Sequence, residues 1–172
     1  MQDPEARVTE LFRRHADDIH AYASWRVGRQ DASDVVGEVF LVAWRSLDRI
    51  RAGEERAWLF GVARKVVLSR HRQSAASTAV EGRIAREPVG AGRLDDDVAL
   101  RDQVHRALAA LREADREVLI TGIWFDLSPA EAAKVLDVSR PTYLVRLHRA
   151  RKRFRAAYES TAPKPARNPL AV

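Results

Sequence analysis

Cysteine is absent from the sequence. Disulfides, thiolate zinc sites, iron–sulfur ligation and cysteine nucleophiles are excluded together, and the composition suits a reducing cytoplasm. Catalytic constellations are lacking as well. The histidines are His15, His20, His71, His105 and His148. None makes the HExxH zinc pair, and His15 and His20 diverge around a helix. No Walker loop or GxSxG elbow is present. Neither enzymatic activity, nor a cofactor, metal or small-molecule substrate, is therefore expected. Long apolar runs are missing too: none approaches the roughly 18 residues of a membrane span. The opening residues MQDPEARVTELFRRH carry charge where a signal peptide would carry an apolar core, so a cytoplasmic chain without membrane insertion is expected.

The last absence is local. No acidic residue stands between Val138 and Tyr158, whereas Arg140, Arg146, Arg149, Arg151, Lys152, Arg153 and Arg155 do. Of the 30 basic and 24 acidic residues, 14 and 8 lie in 101–172, so this region carries the whole excess of +6. A dense field of one sign costs self-repulsion and marks an anionic partner.

What is present is helical patterning. The chain has 172 residues, 46% of them hydrophobic, enough for packed cores. A first module is expected over 5–73. Val8, Leu11, Phe12, Ile19, Tyr22 and Ala23 keep a helical period that Gly28 ends. Asp31 or Ser33 can cap a second helix, where Val36, Phe40, Ala43 or Trp44, and Leu47 form an apolar stripe. Gly53 breaks the chain, Glu54 and Glu55 suit a helix N-terminus, and Leu59, Val62, Val66 and Leu68 line a third helix. Trp44 and Trp58 are read as core residues rather than stacking residues. Residues 74–100 have no sustained period and read as a linker, with a poorly packed helix over 76–86 as the alternative. A second module is expected over 101–158. Val104, Leu108 and Leu111 open it, and Val118, Leu119 and Ile123 point inward from a helix over 115–124. Residues 159–172, with three prolines, read as a disordered tail.

Within the second module, Ser128-Pro129-Ala130-Glu131 is a helix start: serine at the N-cap, proline at N1 and glutamate at N3. Asp137 turns the chain, Ser139 caps again, and a basic helix follows. Ala133 fits the small position where two such helices meet, with Val138 and Leu147 packing them together. This is a helix-turn-helix, and Thr142, Val145, Arg146 and Arg149 then face outward.

LFRRH at 11–15, DASDVVGEVFLVAWRSL at 31–47, RAWLFGVARKVV at 56–67, LREADREVL at 111–119 and LSPAEAAKVLDVSRPTYLVRLHRARKRF at 127–154, in that order, resemble the extracytoplasmic-function subfamily of bacterial sigma-70-type sigma factors. The resemblance implies an all-α protein of two small helical domains on a flexible linker. It implies a dissociable subunit of bacterial RNA polymerase core that recognises promoter DNA and starts transcription, with an anti-sigma factor as its regulator. It places polymerase binding on the second helix, at Asp34, Val35, Glu38, Leu41 and Arg45. It places capture of the melted −10 strand on Arg49, Ile50, Arg51, Arg56, Lys65, Ser69 and Arg72. It places −35 reading on the last helix, at Arg140, Thr142, Leu144, Val145, Arg146, His148 and Arg149. Two departures stand out. Ile50 and Lys65 replace a common aromatic and asparagine, and Tyr143-Leu144-Val145 replaces a common Val-Lys-Ser or Val-Arg-Ser. Leu144 or Val145 can meet a thymine methyl, or leave specificity to Arg140, Arg146, His148 and Arg149. The competing reading is a helix-turn-helix regulator that acts without forming a holoenzyme.

Overall fold

The computed structural model describes residues 3–78 and 98–161, and these residues form helices without strands. In order they are α1 (Pro4–Val27), α2 (Arg29–Arg45), a 3-10 turn (Leu47–Arg49), α3 (Glu55–Thr78), α4 (Val98–Ala109), α5 (Glu113–Leu119), a π-helical segment (Ile120–Trp124), α6 (Pro129–Val135) and α7 (Arg140–Thr161). The all-α, two-module architecture is as expected. Two boundaries move: α3 runs past residue 73, and α4 starts before Leu100. Most of the 76–86 segment and the tail beyond Thr161 lie outside the described residues.

Local chemistry accounts for the helix ends. Asp3 caps α1 by accepting from the Glu5 amide at 3.2 Å, and Pro4 fills the first turn. Gly28, at φ +90°, joins α1 to α2 within one residue, a backbone that favours glycine. The Ser128–Glu131 capping box forms in full: the Glu131 amide donates to Ser128 Oγ at 3.3 Å and the Ser128 amide to Glu131 Oε2 at 2.8 Å. Asp137, at φ +55°, takes the left-handed turn position, which aspartate tolerates. Ser139 caps α7 through the Thr142 amide at 3.3 Å. Arg116 closes the end of α4, donating to the carbonyls of Leu108 at 3.0 Å and Leu111 at 2.9 Å.

The first module packs α1, α2 and α3 around Leu11, Ile19, Tyr22, Val35, Val39, Phe40, Leu59, Phe60 and Val67. On α3 the fully buried stripe is Leu59, Phe60, Ala63 and Val67, while Val62 and Val66 only flank it. The second module gathers Leu111, Val118, Leu119, Ile120, Ala133, Leu136, Tyr143, Leu147 and Ala150. Ala133 is buried where α6 meets α7, and Leu147 and Val138 pack there as expected. Ile123, expected inside, is exposed. The helix changes to π geometry after Leu119, which rotates the following residues away from the direction a continuous α-helix would have given.

Candidate nucleic-acid and polymerase interfaces

The last helix presents its basic face cleanly. Tyr143, Leu147 and Ala150 are buried and Phe154 packs beside them, which fixes the rotation of α7. At about 100° per residue, the opposite face carries Pro141, Val145, His148, Arg149 and Lys152. Arg140, Thr142, Leu144, Val145, Arg146, His148 and Arg149 are all exposed, so the whole expected set is reachable. Thr142 is partly committed, since its hydroxyl lies 2.8 Å from the capping Ser139 Oγ. Leu144 and Val145 are exposed apolar side chains at 43% and 50% of their surface, amid cations. Farther along, Arg153 is tied inward: its guanidinium donates to both carboxylate oxygens of Asp115 at 2.8 Å.

On α2 the core stripe is Ala32, Val35, Val36, Val39, Phe40 and Ala43. Asp34, Glu38, Leu41 and Arg45 fall on the exposed face. Val35 does not. It is fully buried against α1 and the rest of the module core, so it cannot contact a partner. Glu38 pairs with Arg70 of α3. Trp44, expected in the core, is instead 48% exposed, one turn from Leu41 and beside Arg45. Phe12 is exposed to the same degree and packs edge-on against Phe40 at 4.9 Å between ring centroids. The α2 face is therefore more aromatic and apolar than its charged residues suggested.

The expected −10 surface is only partly open. Arg49, Arg51, Lys65 and Arg72 are exposed, and Ser69 is half-buried. Ile50 is buried at 3% exposure, and its carbonyl, like that of Leu47, accepts from Arg7 of α1. It pins the loop to the module and offers no face to a base. Arg56 is engaged on three sides: it donates to the Phe125 carbonyl, lies 3.3 Å from Asp18 Oδ2, and stands over the Phe60 ring.

The arrangement that the sequence concealed lies between the modules. Arg26 of α1, with 2% of its side chain exposed, pairs with Glu113 and lies 3.6 Å from Glu117 on α5. Arg64 of α3 reaches the same Glu117 at 3.0 Å. Phe125 seats against Phe60 and Tyr22, with centroid separations of 4.9 and 5.8 Å. Lys134 of α6 bonds Glu54 at 2.7 Å, which holds the Glu54 carboxyl below its ordinary pKa. Burial raises the pKa of the Tyr22 phenol well above its ordinary value. Burial lowers that of His15, with Asp18 opposing. Among the described residues no group of His, Asp and Glu is placed to hold a metal ion. No described helix is long and apolar enough to cross a membrane.

Residues 11–77 match the Sigma-70 region 2 family and residues 101–154 the Sigma-70, region 4 family. The chain is similar to the ECF RNA polymerase sigma factor SigL of Mycobacterium tuberculosis, with 32% identity over 156 residues, 87% of this chain and 88% of the relative. It is similar to the RNA polymerase sigma factor CnrH of Cupriavidus metallidurans, with 26% identity over 171 residues, 90% and 88% of the two chains. Among solved structures it resembles CnrH in complex with the cytosolic domain of CnrY, with TM-score 0.64 and 25% identity over 91% of this chain and 90% of that one. The fold also matches the sigma factor RpoE in complex with the anti-sigma factor NepR from Bartonella quintana, with TM-score 0.74 and 22% identity over 88% and 96%.

Proposed function

The chain belongs to the extracytoplasmic-function branch of the sigma-70 family, and we propose that it joins bacterial RNA polymerase core, reads promoter DNA with two surfaces and starts transcription. The first module, about residues 5–73, binds core and the −10 element. The second, 101–158, binds the −35 element, and the chain between them lets the two act at a distance. One observation carries the reading. Two modules matching the sigma-70 regions each expose the side chains their task requires: a mixed apolar and charged face on α2, and on α7 a basic face without an acidic residue from Arg140 to Tyr158.

On α2 the working residues are Asp34, Glu38, Leu41 and Arg45, with Trp44 added as the aromatic anchor that Val35 cannot be. On the −10 side, Arg49, Arg51, Lys65, Ser69 and Arg72 draw in the strand, and Arg56 joins them once freed from Phe125. On α7, Arg140, Arg146 and Arg149 meet phosphate or base edges, while Thr142, Leu144, Val145 and His148 sit where a recognition helix reads sequence. The work is differential binding: melted strand is held better than duplex, and the chain performs no covalent chemistry. The CnrH and RpoE structures contain CnrY and the anti-sigma factor NepR. The likeness to CnrH supports a protein regulator for this chain too, and the exposed apolar and charged α2 face is the surface on which it would compete with polymerase.

Transcription from fragmented genomic DNA with bacterial core polymerase, with and without the chain, followed by mapping of RNA 5′ ends, tests this. New starts that share two upstream elements at fixed spacing are expected. Binding to duplex DNA without binding to core would replace the reading with that of a helix-turn-helix regulator acting without a holoenzyme.

A further inference from the structure

We propose that Arg7, on the first helix, is a positioning residue for strand capture: together with the buried Ile50 side chain it holds the loop that follows α2 in the shape that presents Arg49 and Arg51 to the melted −10 strand. The inference rests on the −10 role proposed above for those two arginines. Arg7 itself belongs to none of the expected contact sets.

Arg7 stands one turn before Leu11 on α1, so the two share a helix face. Leu11 is buried in the module core, and Arg7, at the end of that stripe, is half-buried. Its guanidinium bridges two backbone carbonyls that lie 40 and 43 residues away: Nη1 donates to the Leu47 carbonyl at 3.0 Å and Nη2 to that of Ile50. Both carbonyls lie just past the C-terminal end of α2, where the partial negative charge of the helix gathers and a cation is favoured. The planar fork of arginine fixes two acceptors at once, which the single ammonium of lysine does not. The loop also carries its own bonds. The Arg49 amide donates to the Ser46 carbonyl at 2.9 Å, the Ile50 amide to that of Leu47 at 3.3 Å and the Glu54 amide to that of Arg51 at 3.1 Å. Ile50 is extended, at φ −84° and ψ 107°, and 3% exposed. With Ile50 turned inward, its neighbours Arg49 and Arg51 lie exposed on either side of it.

A loop tied in this way meets the strand already ordered. An untied loop would lose backbone freedom on capture, and that loss would weaken the captured state. Arg7 touches no nucleic acid in this scheme and acts only through the two carbonyls. Its removal therefore impairs capture of the strand and spares binding to core and to the −35 duplex, which α2 and α7 carry.

The test uses the full chain with Arg7→Gln, which keeps a polar side chain and removes both the charge and the fork. In the chain alone, hydrogen exchange at the Ile50 and Glu54 amides is expected to be about tenfold faster in Arg7→Gln, with the Val39 and Phe40 amides inside α2 unchanged. In the holoenzyme, 2-aminopurine placed in the −10 element of a promoter found by start-site mapping brightens as its base leaves the stack. That rise should be about fivefold slower with Arg7→Gln at saturating holoenzyme, while affinities for core and for the −35 duplex stay within about twofold of the parent. Arg7→Lys should fall between the two, since its ammonium serves one carbonyl. Unchanged loop exchange, or a rise as fast as the parent's, overturns the proposal. Equal losses in core binding and duplex binding overturn it as well, because they mark general damage to the fold. Failure of the −10 reading shows separately, as an unslowed rise in Arg49→Ala/Arg51→Ala, whatever Arg7→Gln does to loop exchange.

Discussion

Gly122 is the point at which a single methyl should disturb the reading helix. It lies in the π segment between α5 and α6, where a Cβ built on it would overlap Tyr143 Oη and stand 3.3 Å from Cζ. Tyr143 is 1% exposed and is the first buried residue of α7, so it cannot swing to solvent without dragging the helix with it. Gly122→Ala therefore forces either the π segment or α7 to shift. Overpacking of this kind costs about 1–3 kcal/mol. Urea unfolding should show a lower midpoint at unchanged slope, and binding of a −35 duplex should weaken as α7 rotates. Tyr143→Phe removes the overlapping atom and leaves the ring, so the double variant Gly122→Ala/Tyr143→Phe should be more stable than the sum of the single effects by about 1 kcal/mol or more. Gly122→Ala within about 0.5 kcal/mol of the parent, or strictly additive effects in the cycle, would refute the reasoning.

Other expectations follow from the same geometry. Ser128→Ala deletes one half of the capping box and should cost about 1 kcal/mol, read as a shift in the urea midpoint; an unchanged midpoint would mean that the box contributes nothing. Trp44→Ala should weaken binding to polymerase core at least tenfold while leaving −35 duplex affinity unchanged, and a loss in both assays would indicate damage to the fold instead. Replacing thymine by deoxyuridine in the selected −35 element should cost roughly fourfold in affinity wherever Leu144 or Val145 meets a methyl, since one buried methyl is worth about 0.8 kcal/mol. Indifference at every thymine would hand specificity to the arginines and His148. For His15, burial lowers the folded pKa below 6.5, so the unfolded chain takes up the proton first and stability is lost as pH falls through 6.5. His15→Gln should flatten the urea midpoint against pH between about 5 and 8, and an unaltered slope would remove His15 as its source.

Much of the architecture was legible because it is written in local signals. Ser128-Pro129-Ala130-Glu131, Ser139 and Asp137 act through backbone groups a few residues away, and each sits where its chemistry placed it. The outward set on α7 was equally legible, since Tyr143, Leu147 and Ala150 fix a helical phase that leaves Thr142, Val145, Arg146 and Arg149 outside. The misplacements came where size was weighed above phase, or likeness above both. Val35 stands three residues after Ala32 and four before Val39, inside the stripe, so periodicity makes it core despite its place in a family binding block. Trp44 lies one residue past Ala43, and its bulk suggested burial that its rotation denies. Ile123 needed the π geometry after Leu119, and no spacing rule announces such an extra residue in the turn.

The junction between modules shows a different limit. Its partners are remote along the chain: Arg26 meets a carboxylate 87 residues away, and Arg64 one 53 residues away. Each partner stands on its own helix as an ordinary charged residue, and a lone charge on an amphipathic helix reads as solvated. Phe125 reads equally well as a core residue of its own module, because an aromatic that seals one module and docks on another follows one hydrophobic rule in both cases. Composition cannot separate these uses, since both remove the ring from water. What separates them is the company the ring keeps. Phe125 brings its carbonyl to Arg56 and packs on Tyr22, while Glu117 of the same module pairs with Arg26 and Arg64, and a core built only for stability has little reason to gather buried charge. Arg56, which its type and position along the helix leave free, is thus held by the Phe125 carbonyl, by Asp18 and over the Phe60 ring, partners that only the fold brings to it.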